Sequence, residues 1–295
     1  MSAPDAAPLK LHDDAALFGE AVNFTAAETG FPARLIEKDY FCTVLLQCLA
    51  PDGGPLVFKG GTCLAKVHAG FYRLSEDLDF VIPTPVDATR GERRSRARPL
   101  KDSLARIDRR LPGFRMTMPL TGANNSTQYL AVLGYTSPLG GEEGTIQVEV
   151  SLREPLLNPV ALGEARTLLL DPVSGSALAP PVSVPCLSRE EAMAEKLRAA
   201  LTRRGAAIRD FYDVDHAVRR LGLRSEDPEL VALVRWKLAV AGNEPVDASP
   251  TRLAALRPQL ETELRPVLRA RDFAEFDLDR AFDTVARLAA SLGAR

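Results

Sequence analysis

Long apolar runs are missing: nothing approaches the ~20 residues that a bilayer span needs, and Met1 to His12 shows no apolar run behind a basic start. Neither a membrane helix nor an export signal is predicted, so a cytoplasmic chain without a membrane partner is expected. Histidine is scarce, at three (His12, His68, His216), and the four cysteines (Cys42, Cys48, Cys63, Cys186) lie far apart with no CxxC pair. The histidines do not complement them into a zinc pattern, so all four thiols are predicted as reduced packing residues. A large excess of charge is absent too: a formal net charge of −2 argues against a protein coated in nucleic acid. There is no internal repeat and no low-complexity tract.

What is present is enough apolar sequence for a full core, 46% of 295 residues, and a length that accommodates two lobes. The charge is unevenly spread. Nine basic residues (Arg90, Arg93, Arg94, Arg96, Arg98, Lys101, Arg106, Arg109, Arg110) stand against three acidic ones (Glu92, Asp102, Asp108) between Arg90 and Arg110, a local +6 that leaves −8 elsewhere.

Periodicity predicts helices over 13–29 and 32–50, the second closed by the turn Pro51-Asp52-Gly53-Gly54. Strands follow at Leu56-Val57-Phe58 and Leu78 to Ile82, and a helix from about Pro99 to Leu111 with Pro99 in its first position. Phe114 to Met118, Gln128 to Tyr135 and Thr145 to Leu152 read as three more strands, separated by Asn124-Asn125 and Gly140-Gly141 turns. Residues 155–186 read as an irregular connection with one strand at Arg166 to Leu170. Beyond it, helices are predicted from Ser188, whose pairing with Glu191 suggests a capping box, then over Arg209 to Leu221, 227–241, 250–269 and 273–292. The class is α+β, followed by a helical C-terminal lobe.

Two carboxylates, Asp77 and Asp79, would project from one face of a strand while Leu78 and Phe80 enter the core. Their mutual repulsion is relieved by a hard divalent cation such as Mg²⁺. Upstream, Lys59-Gly60-Gly61-Thr62 follows a strand and opens a helix, where unpaired N–H groups favour a phosphate. This is no Walker A loop, since no glycine directly precedes Lys66. Glu149, on the polar face of Ile146 to Ser151 with Gln147 and Ser151, is the candidate third carboxylate, or else a solvated strand residue. Ser75 could turn its hydroxyl to the metal site or cap the loop.

The blocks Phe58-Lys59-Gly60-Gly61-Thr62-Cys63-Leu64-Ala65-Lys66 and Arg73-Leu74-Ser75-Glu76-Asp77-Leu78-Asp79 resemble the AbiEii/AbiGii nucleotidyltransferase toxin family, of the DNA polymerase β-like superfamily. Glu191-Ala192-Met193-Ala194-Glu195-Lys196-Leu197-Arg198 and Arg209-Asp210-Phe211-Tyr212-Asp213 continue the resemblance in the family's order. It implies a nucleotidyltransferase-like mixed sheet flanked by helices over 1–154, the connection 155–186, and a helical lobe over 187–295 that completes the active site. It further implies that Gly61 and Thr62 hold the triphosphate, with Lys59, Gly60, Lys66, Arg73 and Ser75 as neighbours. Asp77 and Asp79, with Glu149, would hold two Mg²⁺ ions; Lys196 would meet the phosphates and Asp210 add a carboxylate. The expected reaction moves an NMP from an NTP to an acceptor hydroxyl, with pyrophosphate released. A tRNA 3′ end is the expected acceptor, and a toxin–antitoxin or phage-defence system with a cognate antitoxin the setting. The Arg90 to Arg110 face would grip the RNA, or is simply a solvated helix face. The alternatives are transfer to a protein or small molecule, and a nucleotide-binding partner without catalysis.

Overall fold

The computed structural model describes residues 8–50, 56–140 and 143–293. The Pro51–Gly54 turn and Gly141 therefore lie outside the described residues. The chain divides into two units: one holds the residues through Leu156 together with Val160–Leu187, the other Leu157–Pro159 and the chain from Ser188 onward.

The first unit is built on a seven-stranded mixed sheet in the order β3-β4-β5-β2-β1-β7-β6. Its strands are β1 (Val57–Lys59), β2 (Leu78–Val81), β3 (Phe114–Ala123), β4 (Gln128–Tyr135), β5 (Gly144–Ser151), β6 (Ala161–Ala165) and β7 (Val182–Cys186). β2 runs parallel to β5 and β1 parallel to β7; the other pairs are antiparallel. Because side chains alternate along a strand, Phe58, Phe80, Val148, Val150 and Tyr135 fall on one face and are buried.

That face belongs to the core with α1 (Ala15–Thr29) and α2 (Ala33–Leu49). Asp14 caps α1 by accepting from the Leu17 N–H, and Gly30 ends it at φ +77°, a left-handed position that glycine takes without a Cβ penalty. Phe41 of α2 stacks on Tyr135 with centroids 4.2 Å apart, and Phe18 meets Tyr40 at 4.9 Å. Each such buried side chain contributes about 1.5–3 kcal/mol of transfer free energy.

The stretch expected as an irregular connection instead supplies β6 and β7. The strand expected at Arg166 to Leu170 is replaced by β6 just before it. There the Leu168 N–H is taken by the Asp39 carboxylate and the Leu170 N–H by the Thr25 hydroxyl, so side chains occupy the donors that a ladder would use. The basic helix also differs from expectation. α4 runs Arg90–Leu104, opened by a complete capping box between Thr89 and Glu92, with Pro99 inside it, and a separate short α5 covers Ile107–Arg110. The box starts the helix earlier than the proline signal suggests.

The second unit is helical: α6 (Arg189–Thr202), α7 (Ile208–Arg220), α8 (Pro228–Ala239), α9 (Pro250–Leu256), α10 (Ala270–Glu275) and α11 (Leu278–Gly293). Ser188 caps α6, but Glu191 does not complete the expected box. Its buried carboxylate accepts from the Leu157 and Asn158 N–H groups and from Lys237 Nζ at 2.7 Å. The helix expected over 250–269 breaks after α9 into a π turn, Leu260–Leu264, and a 3₁₀ turn, Arg265–Val267, and this span contains Pro258 and Pro266, neither of which can donate a helical hydrogen bond. Among the described residues no helix is long and apolar enough to cross a membrane.

Candidate active site

β1 ends at Lys59 and the chain turns at once into α3 (Gly60–Cys63), which passes into a π turn over Leu64–His68. Gly60 has φ +77°, and a Cβ there would overlap the Asp79 carboxylate; one on Gly61 would run into the Arg73 guanidinium and come within 3.2 Å of Ser75 Oγ. Both glycines therefore sit where polar side chains close on the backbone. Arg73 is 2% exposed and donates to the Leu74 carbonyl at 3.1 Å.

The sheet register brings the acidic residues together. Lys59 lies opposite Asp79, and Asp79 opposite Glu149, so three adjacent strands set these side chains in a row on the face opposite the core. Gln128 of β4 donates to Glu149 Oε1 at 3.0 Å and orients it. Asp77 is not on the strand, as expected from alternation, but in the segment leading into it, since β2 begins at Leu78. The buried Thr62 hydroxyl donates to the Asp77 carbonyl and fastens that segment to α3. Thr62 thus positions the Asp77 segment through its side chain. Glu76 beside it is half-buried; burial would raise its carboxyl, yet Lys38 at 3.1 Å and Arg34 at 3.3 Å hold it below the usual range.

Lys66 does not join this group. Its ammonium is buried and donates to Asp39 Oδ1 at 2.5 Å, the Asp39 carbonyl at 2.9 Å and Thr43 Oγ1 at 2.7 Å, which uses all three N–H bonds. Asp39 in turn accepts from Thr167 Oγ1 and the Leu168 N–H, each at 2.9 Å. Sequence reasoning missed Asp39 because its partners lie far along the chain.

In the second unit, Lys196 of α6 bridges Asp210 and Asp213 of α7, each at 2.9 Å, and Arg203 lies 3.5 Å from Asp210. Asp213, three residues from Asp210 on one helix, comes to the same cation by helical spacing. Nearby Lys237, itself buried, joins Glu191 at 2.7 Å and Glu195 at 3.2 Å.

On α4 the basic residues divide. Arg93 is buried and donates to the carbonyls of Leu152 and Val86, whereas Arg94, Arg98 and Lys101 are exposed, as is Arg106 between α4 and α5. The four thiols are free, and Cys42, Cys63 and Cys186 are buried, as expected of reduced packing residues, but the sequence did not show that a histidine joins two of them. Cys63, His68 and Cys186 place one sulfur or ring nitrogen each within 4.8 Å of one another. The pairing of Phe58 with Cys186 across β1 and β7 makes this juxtaposition, and only the Cys63-to-His68 spacing was visible beforehand.

A family model described as "Nucleotidyl transferase AbiEii toxin, Type IV TA system" matches residues 44–287. Among solved structures, the fold is similar to that of MenT4, a nucleotidyltransferase toxin of Mycobacterium tuberculosis, with a TM-score of 0.52 and 20% identity, covering 97% of this chain and 100% of that one. JHP933 from Helicobacter pylori aligns with a TM-score of 0.47 and 15% identity over 96% of this chain and 92% of that one. No curated protein sequence matches the chain.

Proposed function

This chain belongs to the AbiEii nucleotidyl transferase toxin family, and from that premise we propose that it moves an NMP from an NTP to an acceptor hydroxyl, the acceptor being a tRNA 3′ end. The observation that carries the reading is the register of Asp79 against Glu149 beside a glycine turn whose Gly60 has no room for a Cβ next to the Asp79 carboxylate.

The N–H groups of the first turn after β1 receive triphosphate oxygens, as helix starts do, and Arg73 against Gly61 adds a fixed cation. Asp77, Asp79 and Glu149 would offer Mg²⁺ the oxygen donors it prefers; two such ions would neutralise the triphosphate and ease loss of the acceptor's proton. The acceptor oxygen attacks the α-phosphorus as its proton departs, the α–β bridging bond breaks, and pyrophosphate carries away the leaving charge. Catalysis is then mostly positioning and charge stabilisation. Lys196 and Asp210 enter the proposal as a phosphate-contacting cation and the carboxylate that holds it. The exposed arginines of α4 supply the RNA contact through backbone phosphates. A cognate antitoxin is the proposed protein partner.

Incubation with each α-labelled NTP, Mg²⁺ and total tRNA tests this, beside an Asp77→Ala control. Label on tRNA that vanishes in the control supports the reading. Label appearing on protein or on a small molecule would replace the acceptor, and no transfer to any acceptor would leave a nucleotide-binding partner.

A further inference from the structure

Three segments of the first unit converge behind the phosphate turn. Cys63 ends α3, His68 ends the π turn, and Cys186 ends β7. A π turn closes a hydrogen-bonded ring every five residues, so it brings round Cys63 and His68, five apart, to the same side. Both sulfurs are fully buried and the imidazole is partly accessible, which gives an ion an entry side.

The His68 ring is already oriented. Nε2 lies 3.0 Å from the Leu187 carbonyl oxygen; a carbonyl only accepts, so Nε2 carries the proton and Nδ1 keeps its lone pair. Metal-bound histidines are typically fixed by such an N–H to carbonyl bond. Around Cys186, the Cys63 thiol and the Gly163 N–H make hydrogen bonds to its sulfur, and the His68 ring, with its Nδ1 lone pair, can only accept from the Cys186 thiol. Gly163 is needed for this approach, because a Cβ there would stand 2.8 Å from Cys186 Sγ and 2.5 Å from Val67 Cγ1.

We propose that Cys63, His68 and Cys186 form a binding site for a thiolate-seeking metal ion, Zn²⁺ by its ligand set, chemically distinct from the carboxylate site and independent of the reaction assigned to it. Two thiolates balance a divalent charge, the imidazole completes three protein ligands, and the fourth tetrahedral position is left to water or a further donor. Sulfur and imidazole select Zn²⁺ over Mg²⁺, which prefers oxygen. The three ligand atoms lie within 4.8 Å of one another, and contraction onto Zn–S bonds of about 2.3 Å requires only small side-chain shifts. A bound ion would fasten α3, the π turn and β7 to one another directly after Thr62.

The test is equilibrium dialysis of the reduced full-length protein with Zn²⁺ under excess Mg²⁺, with Co²⁺ as the spectroscopic stand-in. One equivalent should bind, and Co²⁺ should show thiolate-to-metal charge-transfer absorption. Cys63→Ser or Cys186→Ser should cut that band to about half or less at saturating Co²⁺ and weaken binding beyond the roughly 10–100-fold of an outer-shell change, the double variant should lose the band, and Asp79→Ala leaves band and binding intact. X-ray absorption at the zinc edge on the unmutated protein needs no variant to fold. Two sulfurs and a nitrogen around the ion support the site; an all-oxygen shell, no bound Zn²⁺, or a Cys63–Cys186 disulfide in the reduced preparation overturns it.

Discussion

Gly60, at φ +77° and against the Asp79 carboxylate, lets substitution separate folding from chemistry. Gly60→Ala costs about 1–2 kcal/mol for a left-handed non-glycine residue and also displaces Asp79. Transfer should therefore fall far more than the melting temperature does; equal, modest losses in both would show that the turn is only structural. Asp79→Asn keeps the shape and removes the charge, so activity is expected to drop at least ~100-fold with the fold unchanged by circular dichroism. Lys66 gives the converse case. With Lys66 and Asp39 each 3% exposed, Lys66→Met strands a buried carboxylate and should cost about 3–5 kcal/mol in chemical denaturation, while surviving folded protein still binds NTP. Lost NTP affinity in folded Lys66→Met would return this lysine to the phosphates.

At the scale of elements, α4 separates a scaffold role from a surface role along one helix. Arg93 holds the carbonyls of Leu152, just past β5, and of Val86, whereas Arg94, Arg98 and Lys101 face solvent. Reversing these three to Glu should weaken transfer to tRNA and flatten its salt dependence without changing NTP binding; an unchanged salt slope would remove α4 from the acceptor surface. The sequence showed this helix's buried Leu100 and Leu104, but the Thr89 capping box moved its start ahead of Pro99, and Ile107 falls in the separate α5. β4 matched its expected bounds because period-two alternation is strong there. β6 and β7 were illegible because they are short, lie among prolines, and pair through distant partners such as Phe58 with Cys186. The site divides similarly. Alternation pointed to Asp79 and Glu149, and the register set them side by side. The Lys66–Asp39 bond and the Cys63–His68–Cys186 group depend on chain crossings that no local pattern records.

Over the whole molecule, stability should fall in two steps on acidification, and each unit contributes one histidine to the first. Burial lowers the pKa of His12, partly opposed by Asp13 and assisted by Lys10, and its Nδ1 lies 2.8 Å from the Tyr40 hydroxyl. His216 is likewise lowered by burial, against Asp213 and Asp272 and with Arg219 and Arg220. Both are held neutral in the fold, so below the ordinary value of 6.5 the unfolded chain binds more protons than the native one, and stability drops as pH falls through that window. The second step lies below 4.5, the ordinary value for Glu76. That carboxylate is depressed, so its bonds to Lys38 and Arg34 stabilise the fold above 4.5 and are lost as acid protonates it. Melting temperatures at about pH 7.5, 5.5 and 4.0 should decline in both intervals. His12→Gln keeps an acceptor for Tyr40, and with His216→Gln it should flatten the first interval only. A first step that persists undiminished in the double variant would show that His12 and His216 do not carry it.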